Sequence, residues 1–489
     1  MTSSTVPVHS LISFIPNPMQ RFVSSRSASS GLSLLILLLA LGALPRTSHA
    51  QQPQDTTQIT FEEAVRTALD QNTDLKRAQA QARQSNVQVQ SEWMDFMPDL
   101  SLSTDVSRRV GRNFSQVTGG FTTQSTDFFN LSGQSRVTLF NGFENVSSLR
   151  EAREQAEADE TSLKRTQREV VFDVMDQFIS LVESREIVRV REERVEAQRQ
   201  RLRQIRELVD AGSRPKSDEF TAEADLADAE QQVLQAQREL EVSKTRLIQT
   251  LQLNPRKAYD FDVPDLEQEA SETTEYDLSA LIEEAFQNRL DLRVAEAEQR
   301  AAQQSIRSAR SAYFPRVSLS GNYGTDWSSR GLPGEGVSDD FRSQLDVNRG
   351  GGVRLSVSIP VFDQFNRSAR VEQAQVQAQN AKYQLQDRRQ QVALQVRQAY
   401  LDYQNAVQQL EAADKRLRAA ERARTAAQER YELGSADIVE LQNAIRDFVD
   451  AASQQVRARY ELVFQKERID YNVGRLSPTD PPLGQSAAQ

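Results

Sequence analysis

Apolar residues recur every seven positions through two long stretches of the chain. The repeating positions are Val174, Leu181, Val188, Val195, Leu202 and Val209 in the first stretch. In the second stretch they are Val396, Tyr403, Leu410, Leu417 and Tyr431, with Arg424 interrupting the repeat. A sustained seven-residue repeat predicts a left-handed coiled coil. At 1.5 Å per residue, a helix of about 69 residues would be roughly 100 Å long. The pattern therefore predicts two very long helices.

A Gly-Ser pair interrupts the helical pattern after each long stretch, at Gly212-Ser213 and at Gly434-Ser435. Glycine in a helix interior costs about 1 kcal/mol relative to alanine. It also supplies the backbone freedom that a turn requires. We therefore expect a helical hairpin at each pair, with a shorter helix running back to about residue 253 or 473.

Shorter elements are predicted upstream of each long helix. Short helices at residues 61–69 and 278–286 each lead to a second helix, which ends before Pro98 or Pro315. Apolar and polar residues then alternate weakly, which predicts strands. The predicted strands are residues 100–110 with 137–140, and 317–323 with 353–361. The polar segments between them, 111–134 and 324–351, are predicted to be loops.

The order of these elements occurs twice because the chain is internally duplicated. Residues 68–76 align with residues 285–293, and Gly212 aligns with Gly434. The predicted organisation is a first repeat at 51–253, an acidic linker at 254–276, a second repeat at 277–474 and a disordered tail at 475–489. We expect the linker to form a solvated belt.

The first fifty residues have a different composition. They contain no acidic residue, and an apolar run at 32–44 precedes Ser48-His49-Ala50. Such a run is too short for a transmembrane helix and is typical of a signal peptide. We therefore predict that residues 1–50 are removed on export, with Met19 as an alternative start.

Composition narrows the possible chemistry. The chain has no cysteine, and its only histidines, His9 and His49, lie in the predicted signal peptide. The exported chain therefore lacks the thiol and imidazole groups of many catalytic and metal sites, so we expect neither an enzyme nor a cofactor. The net charge of −10 argues against nucleic acid as a partner.

The predicted strands are too few to close a membrane barrel alone, because open edges in lipid leave backbone groups unpaired. Known single-chain barrels begin at about eight strands, so several copies must pool theirs, and three would give twelve. Aromatic residues occur at matched positions near the strand-to-helix transitions, either as an interfacial girdle or as ordinary packing. The matched residues are Phe140, Phe143, Phe362 and Phe365.

The duplicated element order resembles that of the TolC-type outer-membrane efflux proteins. Residues 359–367 (IPVFDQFNR) are similar to the family's turn from strand into helix, with Gln364 where glycine is usual. Residues 439–444 (VELQNA) are similar to the segment just past the family's second tip. The resemblance implies a mainly α-helical fold with a small contribution to a membrane β-barrel. In the implied homotrimer, a 12-strand barrel continues into a 12-helix coiled-coil cylinder.

The resemblance also implies a function. Family members are passive exit ducts that sit in outer-membrane lipid, extend through the periplasm and serve tripartite efflux or type I secretion. Their tips dock on a periplasmic adaptor, which links them to an inner-membrane pump. The docking residues would be Ala211, Gly212, Ser213, Leu433, Gly434 and Ser435. The alternative is that the glycines only make turns.

A pore gate is implied at the same tips. Glu440 falls where the family places a pore-facing acid, whereas Asn443 stands where a second acid is common and Ala436 where an arginine is common. Tyr431 and Asp218 fall on positions whose residues, in the family, hydrogen-bond between neighbouring tips and hold the duct shut. Stabilisation by the helix dipole alone also explains acids in a first helical turn.

The seven-residue repeat also fits a protein of another class. An exported, trimeric coiled-coil stalk of the cell envelope would carry the same long helices. The signal peptide and the paired strands favour the duct, because a soluble rod has no need of two strand hairpins.

Overall fold

The computed structural model describes residues 57–115, 119–262, 273–329 and 340–477. The predicted signal peptide lies outside these residues. Over the described ranges, no helix is both long enough and apolar enough to cross a membrane.

In the described residues, the first repeat and the segment that follows it contain four helices and four strands. In chain order these are β1 (Thr57–Ile59), α1 (Phe61–Gln71), α2 (Thr73–Met94), β2 (Asp99–Ser115), β3 (Gly120–Phe140), α3 (Glu144–Asp210), α4 (Lys216–Thr250) and β4 (Tyr259–Phe261). Both predicted helices of the long hairpin are present, and α3 has 67 residues.

The second repeat follows the same order, with one additional helix between its strands. Its elements are α5 (Leu278–Asn288), α6 (Leu290–Ser311), β5 (Arg316–Ser328), α7 (Phe341–Val347), β6 (Gly350–Ser358), α8 (Asn366–Glu432) and α9 (Ile438–Val473). The long helix α8 again has 67 residues, so the two repeats match in their largest element.

The long helices start from a tight bend with left-handed backbone. Gly142 and Phe143 have φ of 70° and 67°, and Gln364 and Phe365 have 58° and 71°. Glycine is required in the first repeat, because a Cβ on Gly142 would lie 2.5 Å from the Ser311 carbonyl oxygen. Gln364 adopts the same left-handed backbone although it carries a side chain. The bend therefore forms in the second repeat without the glycine that is usual at this position.

The strands form one antiparallel sheet in the order β2-β3-β5-β6. The pairing of β3 with β5 joins the two repeats, with Val137 opposite Leu319 and an irregularity between Thr138 and Phe140. In the described part of the chain, β2 and β6 each have a strand on one side only. Separately, β1 pairs with β4 in parallel.

The predicted loop at 111–134 is wrong. Strand β2 continues to Ser115 and β3 begins at Gly120, so most of that segment is a hairpin. The predicted loop at 324–351 is wrong in part, since β5 continues to Ser328 and α7 follows. Residues 330–339 lie outside the described chain. Serine and threonine on alternate positions hid these strands, because the sequence pattern there contains few apolar residues.

Three apolar clusters hold the helices together. One lies where α1, α3, α4 and α9 meet the small sheet, and there Phe178 contacts Phe61 and Phe261 with ring centroids 5.2 and 5.9 Å apart. A second joins α5, α8 and α9, and a third lies at the helical tips. Val174 and Leu181 of the seven-residue repeat are buried, as a coiled-coil seam requires.

The segments predicted as solvated or disordered are partly packed. Phe261, in the predicted acidic linker, is 1% exposed and belongs to the first cluster. Leu476, in the predicted tail, is 3% exposed, and Arg475 pairs with Glu284 at 2.7 Å. These apolar and ion-pair contacts order both segments where the structure describes them. Residues 263–272 and 478–489 lie outside it.

Candidate functional site

The first helical tip is a tight turn built around Gly212. The Ser213 amide donates to the Leu208 carbonyl oxygen at 2.8 Å, and the Gly212 amide donates to Val209 at 2.9 Å. This pattern ends a helix with a left-handed residue, and Gly212 has φ of 71°. Ala211, Gly212 and Ser213 are all exposed.

The second tip repeats this geometry around Gly434, whose φ is 72°. The Ser435 amide donates to the Arg430 carbonyl oxygen at 2.8 Å, and the Ser435 hydroxyl donates to the same oxygen at 3.0 Å. Leu433 is 83% exposed. Each tip therefore presents small or apolar residues to the surroundings.

Acidic residues at the second tip have distinct roles. The Asp437 carboxylate accepts a hydrogen bond of 2.7 Å from the Glu440 amide, so Asp437 caps α9. The Glu440 carboxylate forms an ion pair with Arg430 in the last turn of α8. Asn443 is exposed on the next turn of α9. The sequence pattern did not predict a role for Arg430, because the Arg430–Glu440 pair spans a turn and follows no helical spacing.

Tyr431 is the buried centre of the tip cluster, with 4% of its surface exposed. Its ring packs among apolar residues from both hairpins: Leu202, Ile205, Ala222, Ala427, Ile438 and Leu441. The Arg201 and Arg214 guanidinium carbons lie 4.8 and 4.2 Å from the ring centroid. Burial lowers the pKa of Arg201, and its contact with Tyr431 offsets part of that effect.

Within the part of the protomer that the structure describes, the buried Tyr431 hydroxyl has no hydrogen-bond partner. The predicted bond between Tyr431 and Asp218 is therefore not formed inside one copy. Instead, the Arg214 guanidinium donates a 2.7 Å hydrogen bond to the Tyr431 carbonyl oxygen. Arg214 lies in the first tip and Tyr431 in the second, so the link between tips runs through an arginine that the sequence analysis did not single out.

The seam between α3 and α9 becomes polar beyond the tip cluster. The Gln198 amide donates to the Gln442 side-chain oxygen at 3.0 Å, and both residues are at least nine-tenths buried. The Gln198 oxygen and the Gln442 nitrogen have no hydrogen-bond partner over the described ranges of the chain. Such a seam is held less firmly than an apolar one, because unpaired buried polar groups oppose burial.

At the opposite end of the long helices, the four-stranded sheet has two different faces. The strand registers place one set of apolar residues on a single face. These are Leu100, Leu102, Val106, Val110, Phe129, Leu131, Val137, Val317, Leu319, Tyr323, Trp327, Val353, Leu355 and Val357. The opposite face holds mainly Ser, Asn, Gln and charged residues. Leu100 and Val353 are 85% and 80% exposed, so no described residue covers the apolar face at these positions.

Two groups of aromatic residues lie near the ends of this apolar band. At the helix end, Phe140 contacts Phe143 with centroids 5.4 Å apart. Phe362 and Phe365 are 83% and 72% exposed there. At the other end, Phe341 of α7 contacts Phe129 and Trp327. The sequence pattern did not predict this second group, because Phe129 lies about two hundred residues before Trp327 and Phe341.

The sequence matches the profile of a known family over residues 64–251 and 281–475. That profile describes outer membrane efflux proteins. The chain belongs to this family. The two matched segments cover both repeats, including both tips and all four strands of the sheet.

Solved outer-membrane channels share the fold of this efflux-family chain. The CmeC channel of Campylobacter jejuni is 17% identical, with 85% of each chain covered and a TM-score of 0.71. VceC of Vibrio cholerae is 15% identical over 85% of this chain and 96% of its own, with a TM-score of 0.69. The open state of MtrE from Neisseria gonorrhoeae is 18% identical over 85% and 88%, with a TM-score of 0.69. A search of curated sequences found no significant match.

The family is one of channels and not of enzymes. In the described part of this efflux-family chain, no group of three acidic, histidine or cysteine residues is placed to hold a metal ion.

Proposed function

We propose that the chain is the outer-membrane exit duct of a tripartite efflux or type I secretion system. Three copies would form one 12-strand barrel in the outer membrane, continued by a 12-helix cylinder through the periplasm. Cargo would pass through passively, driven by an inner-membrane pump. The observation that carries this proposal is the incomplete set of contacts between the two repeats.

Within one copy, the first repeat contacts the second through β3 with β5, α3 with α6, and α3 with α9. The duplication aligns β3 and α3 of the first repeat with β6 and α8 of the second. It aligns β5, α6 and α9 of the second repeat with β2, α2 and α4 of the first. The equivalent contacts are therefore β6 with β2, α8 with α2, and α8 with α4. The free edges of β2 and β6 in the described sheet suit this completion by a neighbouring copy. Repeating the step closes a ring.

The internal register predicts the register between copies. Val137 lies opposite Leu319 within the chain, and Arg136 lies opposite Ser320. The two repeats align with an offset of 217 residues as far as β2 and β5, and of 222 residues from β3 and β6 onward. The two pairs therefore map onto Ile359 with Leu102 of the next copy, and onto Ser358 with Ser103 of the next copy. A closed ladder of this kind would leave no unpaired strand edge in lipid.

The number of strands supports three copies over two. A barrel of about eight strands has an interior just wide enough for side chains to fill. Two copies would supply eight strands and leave little room for cargo. Three copies would supply twelve, and the polar face of the sheet would then line a water-filled lumen.

The dimensions of the apolar face suit a bilayer. Ten residue steps separate Val317 from Trp327, and they extend about 33 Å along the strand at 3.3 Å per residue. A strand tilt of about 40° reduces this to about 25 Å, the height of the apolar band in outer-membrane barrels. Phe140 and Phe362 would then mark one interface, and Phe129, Trp327 and Phe341 the other.

The tips suit docking by a periplasmic adaptor. Gly212 and Gly434 have open space where a Cβ would project, and Leu433 is almost fully exposed next to Gly434. A trimer would present six such turns in a ring. An exposed apolar residue next to a glycine, which has no side chain, leaves an open apolar surface that suits contact with a partner's hairpin.

The two-faced sheet argues against the alternative of an envelope stalk. A soluble stalk would gain nothing from an exposed apolar face as wide as four strands, since such a face promotes aggregation in water. Detergent extraction, light scattering and planar-bilayer recording test the proposal together. A detergent-dependent trimer that conducts ions supports the duct. A protein that is soluble without detergent and does not conduct contradicts it.

A further inference from the structure

The two tips of each copy differ in charge at equivalent positions. Arg430 and Glu440 form an ion pair across the second tip, with side chains 54% and 43% exposed. The duplication maps these positions onto Leu208 and Asp218 in the first tip. Glu440 therefore has a basic partner across its hairpin, whereas the corresponding partner position of Asp218 is apolar.

The Arg430 guanidinium changes the electrostatic potential that acts on a passing ion at the second tip. A lone carboxylate attracts cations through a potential that falls slowly with distance. A carboxylate held against a guanidinium acts as a dipole, whose potential falls faster and changes sign with direction. Asn443, one turn further along α9, adds no charge. The nearby Asp437 carboxylate accepts from the Glu440 amide and caps the helix.

We propose that Arg430 determines the ion selectivity of the duct by compensating the charge of Glu440. This inference rests on the proposed function, in which the tips surround the pore. Three compensated pairs replace a ring of three carboxylates. The opening then admits anionic solutes about as readily as cationic ones, which widens the class of cargo beyond cations.

Reversal potentials in a potassium chloride gradient across a planar bilayer test the inference. The parent is expected to show little preference between the two ions. Arg430→Gln exposes the carboxylates and shifts the reversal potential towards the potassium equilibrium potential. Glu440→Gln shifts it in the opposite direction, and the double variant returns towards the parent. Arg430→Lys retains the charge and behaves like the parent.

A matched control is Arg206→Gln. Arg206 also pairs across a tip hairpin, with Glu219 at 3.2 Å in the first tip. Its removal tests whether any lost tip arginine alters selectivity. An equal shift for Arg206→Gln and Arg430→Gln would overturn the specific role of Arg430.

The absence of native cysteine allows a test on a single folded protein. Arg430→Cys is expected to prefer cations, and a thiol reagent carrying an ammonium group is expected to restore the parent's reversal potential, whereas a neutral reagent is not. A conducting Arg430→Gln or Arg430→Cys channel with parental selectivity overturns the inference alone. A parent that never conducts contradicts the proposed function and the pore role of Arg430 together.

Discussion

The Arg214 guanidinium in the first tip donates a 2.7 Å hydrogen bond to the Tyr431 carbonyl oxygen in the second tip. The same guanidinium lies over the Tyr431 ring, 4.2 Å from its centroid. One side chain thus connects two hairpins that lie more than two hundred residues apart in sequence. Within a copy, this contact adds a polar link to the apolar cluster through which the two tips pack.

Arg214→Ala is expected to loosen the closed tips. The change removes a hydrogen bond that contributes about 1 kcal/mol and a cation–π contact that contributes about 0.5–2 kcal/mol. Losses at three related sites shift the balance towards the open state. Single-channel conductance or open probability in planar bilayers should rise, with the trimer intact.

Tyr431→Phe is the matched comparison for this change, because it retains the ring and the carbonyl oxygen. The lost hydroxyl has no partner among the described residues of its own copy, so the variant should conduct like the parent. A larger effect from Tyr431→Phe than from Arg214→Ala would show that the hydroxyl bonds across copies, as the family resemblance implies for Tyr431 and Asp218.

Leu102→Arg is expected to prevent assembly in the outer membrane. Leu102 lies on the apolar face, near the middle of the proposed band, where an arginine facing lipid costs about 2–4 kcal/mol. Ser103→Arg is the control, since Ser103 lies on the opposite, polar face of the same strand. The level of heat-modifiable trimer in outer-membrane fractions measures both. Equal tolerance of the two changes would contradict the assignment of faces.

A bulky residue at Gly434 is expected to impair export more than folding. The backbone strain of Gly434→Leu is about 1–2 kcal/mol, and open space surrounds the position. Gly474→Ala is the comparison, because its Cβ would lie 3.0 Å from the Asn288 carbonyl oxygen and folding should suffer. Export is measured at matched protein levels. Normal export by Gly434→Leu and by Gly212→Leu would leave both tips as turns without a docking role.

Asp173→Asn is expected to stabilise the protein at neutral pH. Burial, together with the charges of Glu169, Asp176 and Asp74, raises the pKa of Asp173 to about 6. The folded protein therefore loses stability as the pH rises from about 4 to about 6, because the charged form is disfavoured in the folded state.

The raised pKa sets an upper limit of about 3 kcal/mol on the gain from Asp173→Asn. Asp173 is exposed in the protomer, so solvent screening reduces the expected gain to about 1 kcal/mol. Unfolding in denaturant at pH 4 and pH 7.5 measures it for both proteins. A gain of the same size at both values would show that the titration of Asp173 is not its cause.

The sequence predicted the two helical turns correctly, because a glycine within a long helical pattern has few other structural uses. Gly212 and Gly434 stand out because glycine is rare inside long helices, and both adopt the positive φ that the prediction of a turn requires. The long helices were predictable from their seven-residue repeat, since Val174 and Leu181 are buried at the seam.

Contacts between distant residues were not predictable in the same way. Arg430 pairs with Glu440 across a turn, and Arg214 reaches Tyr431 from another hairpin. Neither separation matches a helical period, so the sequence contains no pattern that predicts these contacts.

The outer half of the first strand hairpin, formed by β2 and β3, was not predicted for another reason. Its strands carry serine, threonine and arginine at many alternate positions, and this weakens the apolar pattern by which strands are recognised.

The central claim is that β6 of one copy pairs with β2 of the next in the register set by the duplication. The chain has no cysteine, so introduced pairs report without background. Ser103→Cys with Ser358→Cys places the predicted partners opposite each other, within the 4.4–6.8 Å between Cα atoms that a disulfide usually spans. Arg136→Cys with Ser320→Cys is the internal control, since these residues are partners within one copy.

Mild oxidation followed by non-reducing electrophoresis reads the result directly. We predict that the Ser103/Ser358 pair gives covalent dimers and then a closed trimer as the final product, while the control pair gives only monomers with an internal disulfide. Ser101→Cys with Ser358→Cys, displaced by two residues, should cross-link weakly. A Ser103/Ser358 protein that forms no cross-links, stops at dimers or cross-links better in the displaced register would contradict the account.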